Sequence, residues 1–562
     1  MRRLIVLVSA LLGSGVVLAT AVSSGATLDK RDTSAFGEYA VRFQPGTSLQ
    51  AMTAAVGAAG GAVSEDMHQI AAVEVASNDG HFLKKILATQ GVVDAFVDGH
   101  GPSANGQLGG STPAGAAPTT ESTSGADPWH DAFQWDDTRM NVPPPTPTTG
   151  AGVTVAVLDS GIDPSQTEVG PNDIGETNFI PCATLTSVFG KKFVSKYLGI
   201  TDCGTYDHEG HGTWVASRIA GALNGFASNG VAPGAKLLDQ KMLAEPYGFD
   251  SAWAIAAMLD ACDKDANVLN MSLVEYNDPT NADDVKDYLL WVDAASYCTS
   301  KGVVLVAAAG NDHVRINRVN MTLGGRHLNG VGQVDAGSDG MGLPQSLPLT
   351  PTDVRGDLEV PGGLPGVIMV SATGNTTADA SSAVAAPYRF ATGLQDQLAH
   401  YSNYGSRVDV AAPGGARSFN VPSYDASGGD VYTDGYGVFG SSSTGGALCD
   451  TSLGTGCFKL PRGESFMWLQ GTSQATANVS GVVAALLGAR PALGSSPAAV
   501  LARLQATARR DMTNQMGPLT PSTVATLVAP CPAGYCHIAT TSPIAFGDAY
   551  GAGIVNAGAA IG

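Results

Sequence analysis

Short apolar runs, each closed by polar or glycine-rich residues, recur along the greater part of the chain: Val153–Leu158, Lys236–Leu243, Val268–Leu273, Val303–Ala309, Val367–Ala372 and Val408–Ala412. Runs this short and continuous read as strands buried on both faces, the mark of a parallel sheet. Between several of them the apolar residues fall at helical spacing, as in Ser251–Ala261 and Val285–Tyr297. The pattern predicts a layered α/β body with helices covering a mostly parallel sheet. In such sheets ligands bind outside the carboxyl ends of the strands, so the search for chemistry starts there.

Ahead of this body, residues 36–100 alternate differently. An extended Tyr39–Phe43 is followed by a helical Leu49–Ala59, an extended Ala71–Val75, a helical Phe82–Ala88 and an extended Val92–Val97. This is a small α+β unit of ferredoxin-like, βαββαβ-like pattern. From 101 to 127 the chain turns to Gly, Ser, Thr, Ala and Pro, a composition that cannot bury a core and reads as a flexible linker. The first 26 residues read as a secretory signal peptide: Arg2 and Arg3, an apolar run from Leu4 to Ala19, then small residues. The run is shorter than the roughly 20 residues a spanning helix needs, so no stable membrane anchor is expected and the protein is expected outside the cell. The domains expected are thus 1–26, 36–100, 101–127 and 128–562.

Of 562 residues 44% are hydrophobic and only 14% charged, which excludes a disordered chain. Asp and Glu number 50 against 30 Lys and Arg, a net charge of -20, which argues against a nucleic-acid partner held through phosphate contacts. Eight cysteines agree with an oxidising destination. Their order suggests local pairs: Cys182 with Cys203, Cys262 with Cys298, Cys449 with Cys457 and Cys531 with Cys536. Sequence leaves the connectivity open, since eight cysteines allow about 105 pairings. No C-x-x-C spacing supports a zinc site.

Four residues stand at strand ends or helix starts. Asp159 closes Val-Thr-Val-Ala-Val-Leu-Asp, where a buried carboxylate needs a partner. His211 stands in His208-Glu-Gly-His-Gly-Thr, before small and apolar residues at helical spacing; the two histidines are three apart, not the four a zinc hydrolase needs. Asn311 closes Val303–Gly310, and Ser473 opens a stretch that is small and apolar on nearly every face. Singly, each has a structural explanation: a turn Asp, a turn Asn, an N-capping Ser. Ala475 also breaks the G-x-S-x-G elbow of the α/β-hydrolases. Together, however, Asp, His, Asn and Ser in this order supply a complete acyl-transfer apparatus.

The motifs Asp159-Ser-Gly-Ile, Gly210-His-Gly-Thr, Gly310-Asn and Gly471-Thr-Ser, with Gly230-Val-Ala-Pro-Gly-Ala, Asn270-Met-Ser-Leu, Tyr401-Ser-Asn-Tyr-Gly and Val408-Asp-Val-Ala-Ala-Pro-Gly, resemble the subtilisin-like serine protease family from about Trp129 onward. Residues 36–100 resemble that family's inhibitory prosegment. The resemblance implies a subtilisin-like three-layer domain and a secreted serine endopeptidase made as an autoinhibited precursor. It implies Asp159, His211 and Ser473 as catalytic residues, with Asn311 and the Ser473 N–H as oxyanion hole. It places Ser272, Leu273, Val274, Ala308, Ala309 and Gly310 on the first specificity pocket. Protein or peptide substrates are expected, with the chain's own propeptide as intramolecular inhibitor, in a monomer. No cofactor is required for catalysis and no residue is assigned as a metal ligand. Calcium stabilises many relatives, but no run here reads as a defined calcium loop. The alternative is a catalytically silent homologue whose cleft only binds.

The chain also departs from the family pattern. Val274 and Glu275 follow Ser-Leu where Gly is usual, which narrows the pocket or brings a charge to it. Ala477, Asn478, Trp214 and Gln474 replace the usual Pro, His, His and Met, none of them a catalytic position. Residues 312–365 and 416–467 are insertions, the second either a cleft rim or a stabilising loop.

Overall fold

The computed structural model describes residues 37–101, 127, 133–244, 248–337, 353–375, 395–399, 401–415, 437–449, 457–460, 463–494, 496–512 and 544–562. The signal segment 1–26, linker residues 102–126, and Cys531 with Cys536 lie outside the described residues.

The N-terminal unit runs β1 (Gly37–Phe43), α1 (Leu49–Ala59), β2 (Ala62–Met67), β3 (Ala72–Ser77), α2 (Phe82–Leu87) and β4 (Val92–Val97). Its sheet has the order β2-β3-β1-β4 with antiparallel pairings. Strand β2, Ala-Val-Ser-Glu-Asp-Met, carries too little apolar periodicity to announce itself; its pairing with β3 makes it a strand. Alternation along β1 divides two cores. Tyr39, Val41 and Phe43 face the unit's own helices with Val56 and Phe82, whereas Ala40 joins the core of the large body with Met67, Ala72 and Phe96. Covered on both faces, β3 is buried at every position.

In the body, strands β6 (Thr154–Asp159), β7 (Asp173–Asn178), β8 (Lys236–Lys241), β10 (Val268–Met271), β12 (Val304–Ala308), β16 (Val367–Asn375), β17 (Gln395–Leu398) and β18 (Val410–Pro413) form one sheet. Its order is β17-β16-β12-β10-β6-β8-β7, with β18 beside β16. All pairings except β16 with β17 are parallel. The two faces sort by residue parity. Val155, Val157, Val304 and Val306 pack against α4 (His211–Ala220) and α7 (Thr472–Ala489), and the short α3 (Trp135–Arg139) precedes β6. Ala156, Leu158, Leu305 and Ala307 pack against α5 (Ser251–Asp263) and α6 (Ala282–Ser300). The result is a three-layer α/β fold. The N-terminal sheet lies on α5 and α6, where Ala40, Ala72 and Phe96 join their core.

Residues 312–365 contribute the hairpin β13 (Ile316–Leu323) and β14 (Arg326–Val334), which extends through β15 (Leu358–Val360) to β11 (Glu275–Asn277). From 416–467 the described part forms β19 (Val438–Ser442), β20 (Phe458–Lys459) and β21 (Ser465–Leu469). Disulfides join Cys182 to Cys203, Cys262 to Cys298 and Cys449 to Cys457. Among the described residues no helix is long and apolar enough to cross a membrane.

Candidate active site

Strand β6 delivers Asp159 at its carboxyl end. The carboxylate is 2% exposed, and its Oδ1 accepts from the Ser160 N–H and from His211 Nδ1, each at 2.8 Å. That bond leaves His211 Nε2 as the imidazole's working nitrogen. His211 is the first residue of α4 and is 4% exposed. The glycines on either side are required by the close approach. A Cβ on Gly212 would meet the Gly161 carbonyl at 2.2 Å, and one on Gly210, whose φ is +102°, would meet Ser442 Oγ at 2.5 Å.

A residue that the sequence reading missed holds this helix start in place. The buried Asp207 accepts from the N–H of Gly210 at 2.7 Å, of Glu209 at 3.1 Å and of Thr213 at 2.9 Å, and from the hydroxyls of Thr213 and Ser160. An acid just ahead of a helical run is the signal that identifies such a cap. Lys241, fully buried at the end of β8, was missed as well. Its Nζ donates to the carbonyls of Ser160 at 2.8 Å and Tyr206 at 2.6 Å, and to Asp202 at 2.6 Å, pinning the turn after Asp159. Burial works against a charged His211, but the Asp159 carboxylate, its hydrogen bond and the charge of Asp207 outweigh it and hold the imidazole above its ordinary value.

Ser473 is the second residue of α7, not its cap. The cap position is Gly471, and the Ser473 hydroxyl donates instead to the Ser272 carbonyl at 3.3 Å, while Ser272 Oγ donates to the Ser473 carbonyl at 3.2 Å. Asn311 performs the capping: its Oδ1 accepts from the Thr472 N–H at 2.9 Å and the Thr472 hydroxyl at 2.8 Å. These bonds occupy the acceptor end of the amide and assign Nδ2 as its donor end. Asp159, His211, Asn311 and Ser473 thus come from β6, α4, the end of β12 and α7, all at the carboxyl edge of the sheet.

The adjacent strands β10 and β12 run in register, Met271 opposite Ala307, so Ser272–Val274 and Ala308–Gly310 leave the sheet side by side. Ser272, Leu273, Val274, Ala308 and Ala309 are buried, and Asn403 Nδ2 ties down the Ala309 carbonyl at 2.7 Å. Glu275 does not bring its charge to this wall. Its carboxylate accepts from Ser251 Oγ at 2.7 Å and lies against Gly99, because β11 turns it toward α5. Gly99 leads into a short strand, β5 (His100–Gly101), which pairs antiparallel with β9 (Phe249–Asp250) and contacts β11.

The model of the Subtilase family matches residues 150–526. The chain belongs to this family. Among curated subtilases, subtilisin E of Bacillus subtilis is 35% identical over 164 residues, 29% of this chain and 35% of that protein. Subtilisin Savinase of Lederbergia lenta is 34% identical over 164 residues, 29% of this chain and 49% of that protein. The chain therefore spans about a third to a half of the length of these relatives. Among solved structures, the epidermin leader peptide processing serine protease of Staphylococcus aureus has a TM-score of 0.56 at 15% identity, covering 94% of this chain and 98% of that one. Fervidolysin of Fervidobacterium pennivorans, described as a keratinolytic enzyme related to subtilisin, has a TM-score of 0.54 at 19% identity, covering 94% and 61%. These two likenesses show the subtilase fold.

At the departures from the family pattern this subtilase is cross-braced. Trp214 Nε1 donates to the Met467 carbonyl at 3.2 Å, and Arg218 reaches Asn478 Oδ1 at 3.2 Å, Asp136 at 2.7 Å and Asp137 at 2.8 Å. The helix bearing His211 is thereby tied to the helix bearing Ser473. The 416–467 insertion also touches the site: Ser442 Oγ donates to the Gly210 carbonyl at 3.0 Å, and the Leu448 N–H to the Glu209 carbonyl at 3.0 Å. One buried group has no role in this network. Glu168 is fully buried, its pKa pushed well up by burial and by Asp127 and drawn part of the way back by a hydrogen bond from the Ser228 N–H.

Proposed function

We propose that this subtilase is a secreted serine endopeptidase, made as a precursor inhibited by its own N-terminal unit. The observation that carries the reading is the buried Asp159–His211 bond at 2.8 Å, on the edge of the sheet that also holds Ser473 and Asn311. In the reaction, the Ser473 hydroxyl leaves the Ser272 carbonyl and turns to His211 Nε2, which takes its proton as Oγ attacks a peptide carbonyl. Asp159 keeps the imidazole in the Nδ1–H tautomer and stabilises the imidazolium that forms. Asn311 Nδ2 and the Ser473 N–H receive the oxyanion. His211 then protonates the leaving amine, and water cleaves the acyl-enzyme by the reverse steps.

Substrate binds as an added strand beside Phe249–Asp250, with its side chain between Ser272–Val274 and Ala308–Gly310. Residues 100–101 occupy the Phe249–Asp250 edge, which supports the reading of residues 36–100 as inhibitory propeptide. Removal of residues 1–26 and then cleavage within 101–127 would produce the mature monomer. Catalysis needs no cofactor.

The test is self-trimming and hydrolysis of a denatured protein by the full chain and by Ser473→Ala. We expect the unsubstituted chain to shorten and turn over substrate, and the variant to do neither. Equal activity in both would overturn the reading.

A further inference from the structure

Where the N-terminal unit docks on the body, the seam is lined with carboxyl groups. From the unit come Glu38 of β1, Glu74 of β3 and Asp98 just after β4; from the body come Asp250 of β9, Glu275 of β11 and Asp287 of α6. Glu74 is fully buried, and Asp98, Asp250, Glu275 and Asp287 are all buried. Oxygens of Glu38, Glu74 and Asp250 lie within 4.8 Å of one another, and Glu38 is hydrogen-bonded to Asp250, carboxyl to carboxyl. Two carboxylates in such contact hold a proton between them. Glu74 Oε1 accepts from Trp253 Nε1 at 3.1 Å and Asp98 Oδ2 from the Ala252 N–H at 3.2 Å. Asp98 accepts from the Gly99 N–H as well, whereas Glu74 Oε2 and Glu38 Oε1 are buried without partners. Beside them, the single hydroxyl hydrogen of Ser251 faces both Glu275 Oε2 at 2.7 Å and Asp287 Oδ2 at 3.0 Å.

Among the described side chains, the other charges placed on the packed elements do not relieve this crowding. Glu65 of β2 adds to the negative charge on Glu74, and Asp260 of α5 bears in turn on Glu65. Arg42 of β1 is paired with Asp293, and Lys286 of α6 with Asp283.

We propose that this seam is a proton-held clasp: the docked unit stays closed while Glu38, Glu74 and Asp98 keep their protons against Asp250, and it opens as rising pH removes them. The proposal deepens the autoinhibition reading and rests on it, since it adds the condition that releases the cleft. Burial, and then the neighbouring carboxylates, push Glu38, Glu74 and Asp98 well above the usual carboxylate range. Once the unit has left, the same groups face water and titrate near about 4. The closed form therefore binds more protons than the open one. Closure is strongest below about pH 4 and weakens as pH rises through the raised values, about tenfold per pH unit for each proton released.

The test uses the full chain with Ser473→Ala, which cannot trim itself. Amide hydrogen exchange of segments 37–43, 72–77 and 249–260 is followed from pH 5 to 9 and corrected for intrinsic rates, with the 472–489 helix as internal control. We expect protection at the seam to fall at least tenfold per pH unit while the control holds. Glu38→Gln with Glu74→Gln and Asp98→Asn, amides that imitate the protonated acids, should keep the seam closed at pH 9. A seam equally protected at all pH values, or an amide variant that opens like its parent, overturns the proposal. So does calcium chloride alone closing the parent seam at pH 9, because the carboxylates would then be held by a cation. The peptidase reading is judged separately, by whether the unsubstituted chain hydrolyses substrate at pH 9. If it does not while the seam opens as expected, that reading fails and the clasp stands.

Discussion

His211 balances three influences: a desolvated position that disfavours its charge, and the carboxylates of Asp159 and Asp207 that favour it. In the proposed reaction the base must be neutral to accept the Ser473 proton, so activity should be lost as pH falls through the raised value. We expect the acidic limb of kcat/KM to lie above the ordinary imidazole value of about 6.5. Asp207→Asn removes one supporting charge and should move that limb to lower pH; an unmoved limb would contradict the role given to Asp207. Asn311→Leu removes the amide proposed to receive the oxyanion, and kcat should fall about 100- to 1,000-fold with little change in KM. Steady-state kinetics on a peptide amide would settle this, and a loss confined to KM would contradict it. The sequence disclosed Asp159, His211, Asn311 and Ser473 because each sits in a short motif at a strand end or helix start. It did not disclose Asp207 or Lys241, whose partners come from the folded loops around them. Nor did it show where Glu275 points, since that depends on how β11 leaves the sheet.

At the scale of elements, the strands of the large sheet were legible because both of their faces are buried and their runs are continuous. The edge strand β7, Asp-Ile-Gly-Glu-Thr-Asn, was not: one face meets solvent and its only cue is pairing with β8. The same holds for β2. Helices α4 and α7 cross through Arg218, whose guanidinium is buried with Asp136 and Asp137. Arg218→Ala would leave two buried carboxylates without their cation. We expect a loss of about 3–5 kcal/mol in unfolding free energy. Denaturant melts of the Ser473→Ala chain, which cannot digest itself, would measure it. A change below about 1 kcal/mol, the range of exposed pairs, would mean that the brace is not needed.

For the molecule as a whole, two units share one interior. Ala40, Met67 and Phe96 of the small sheet belong to the same core as α5 and α6, so the N-terminal unit is a packed layer, and the strand that follows it pairs with β9. Composition located this unit, but the carboxyl-lined seam was hidden in six acids spread from Glu38 to Asp287. If the fold turns the Ser473 hydroxyl into a nucleophile, labelling the purified chain with a fluorophosphonate and mapping the adduct by mass spectrometry should give a single adduct on Ser473 that disappears in His211→Ala. A processed, folded chain with its cleft open that takes up no label at Ser473 would contradict that role.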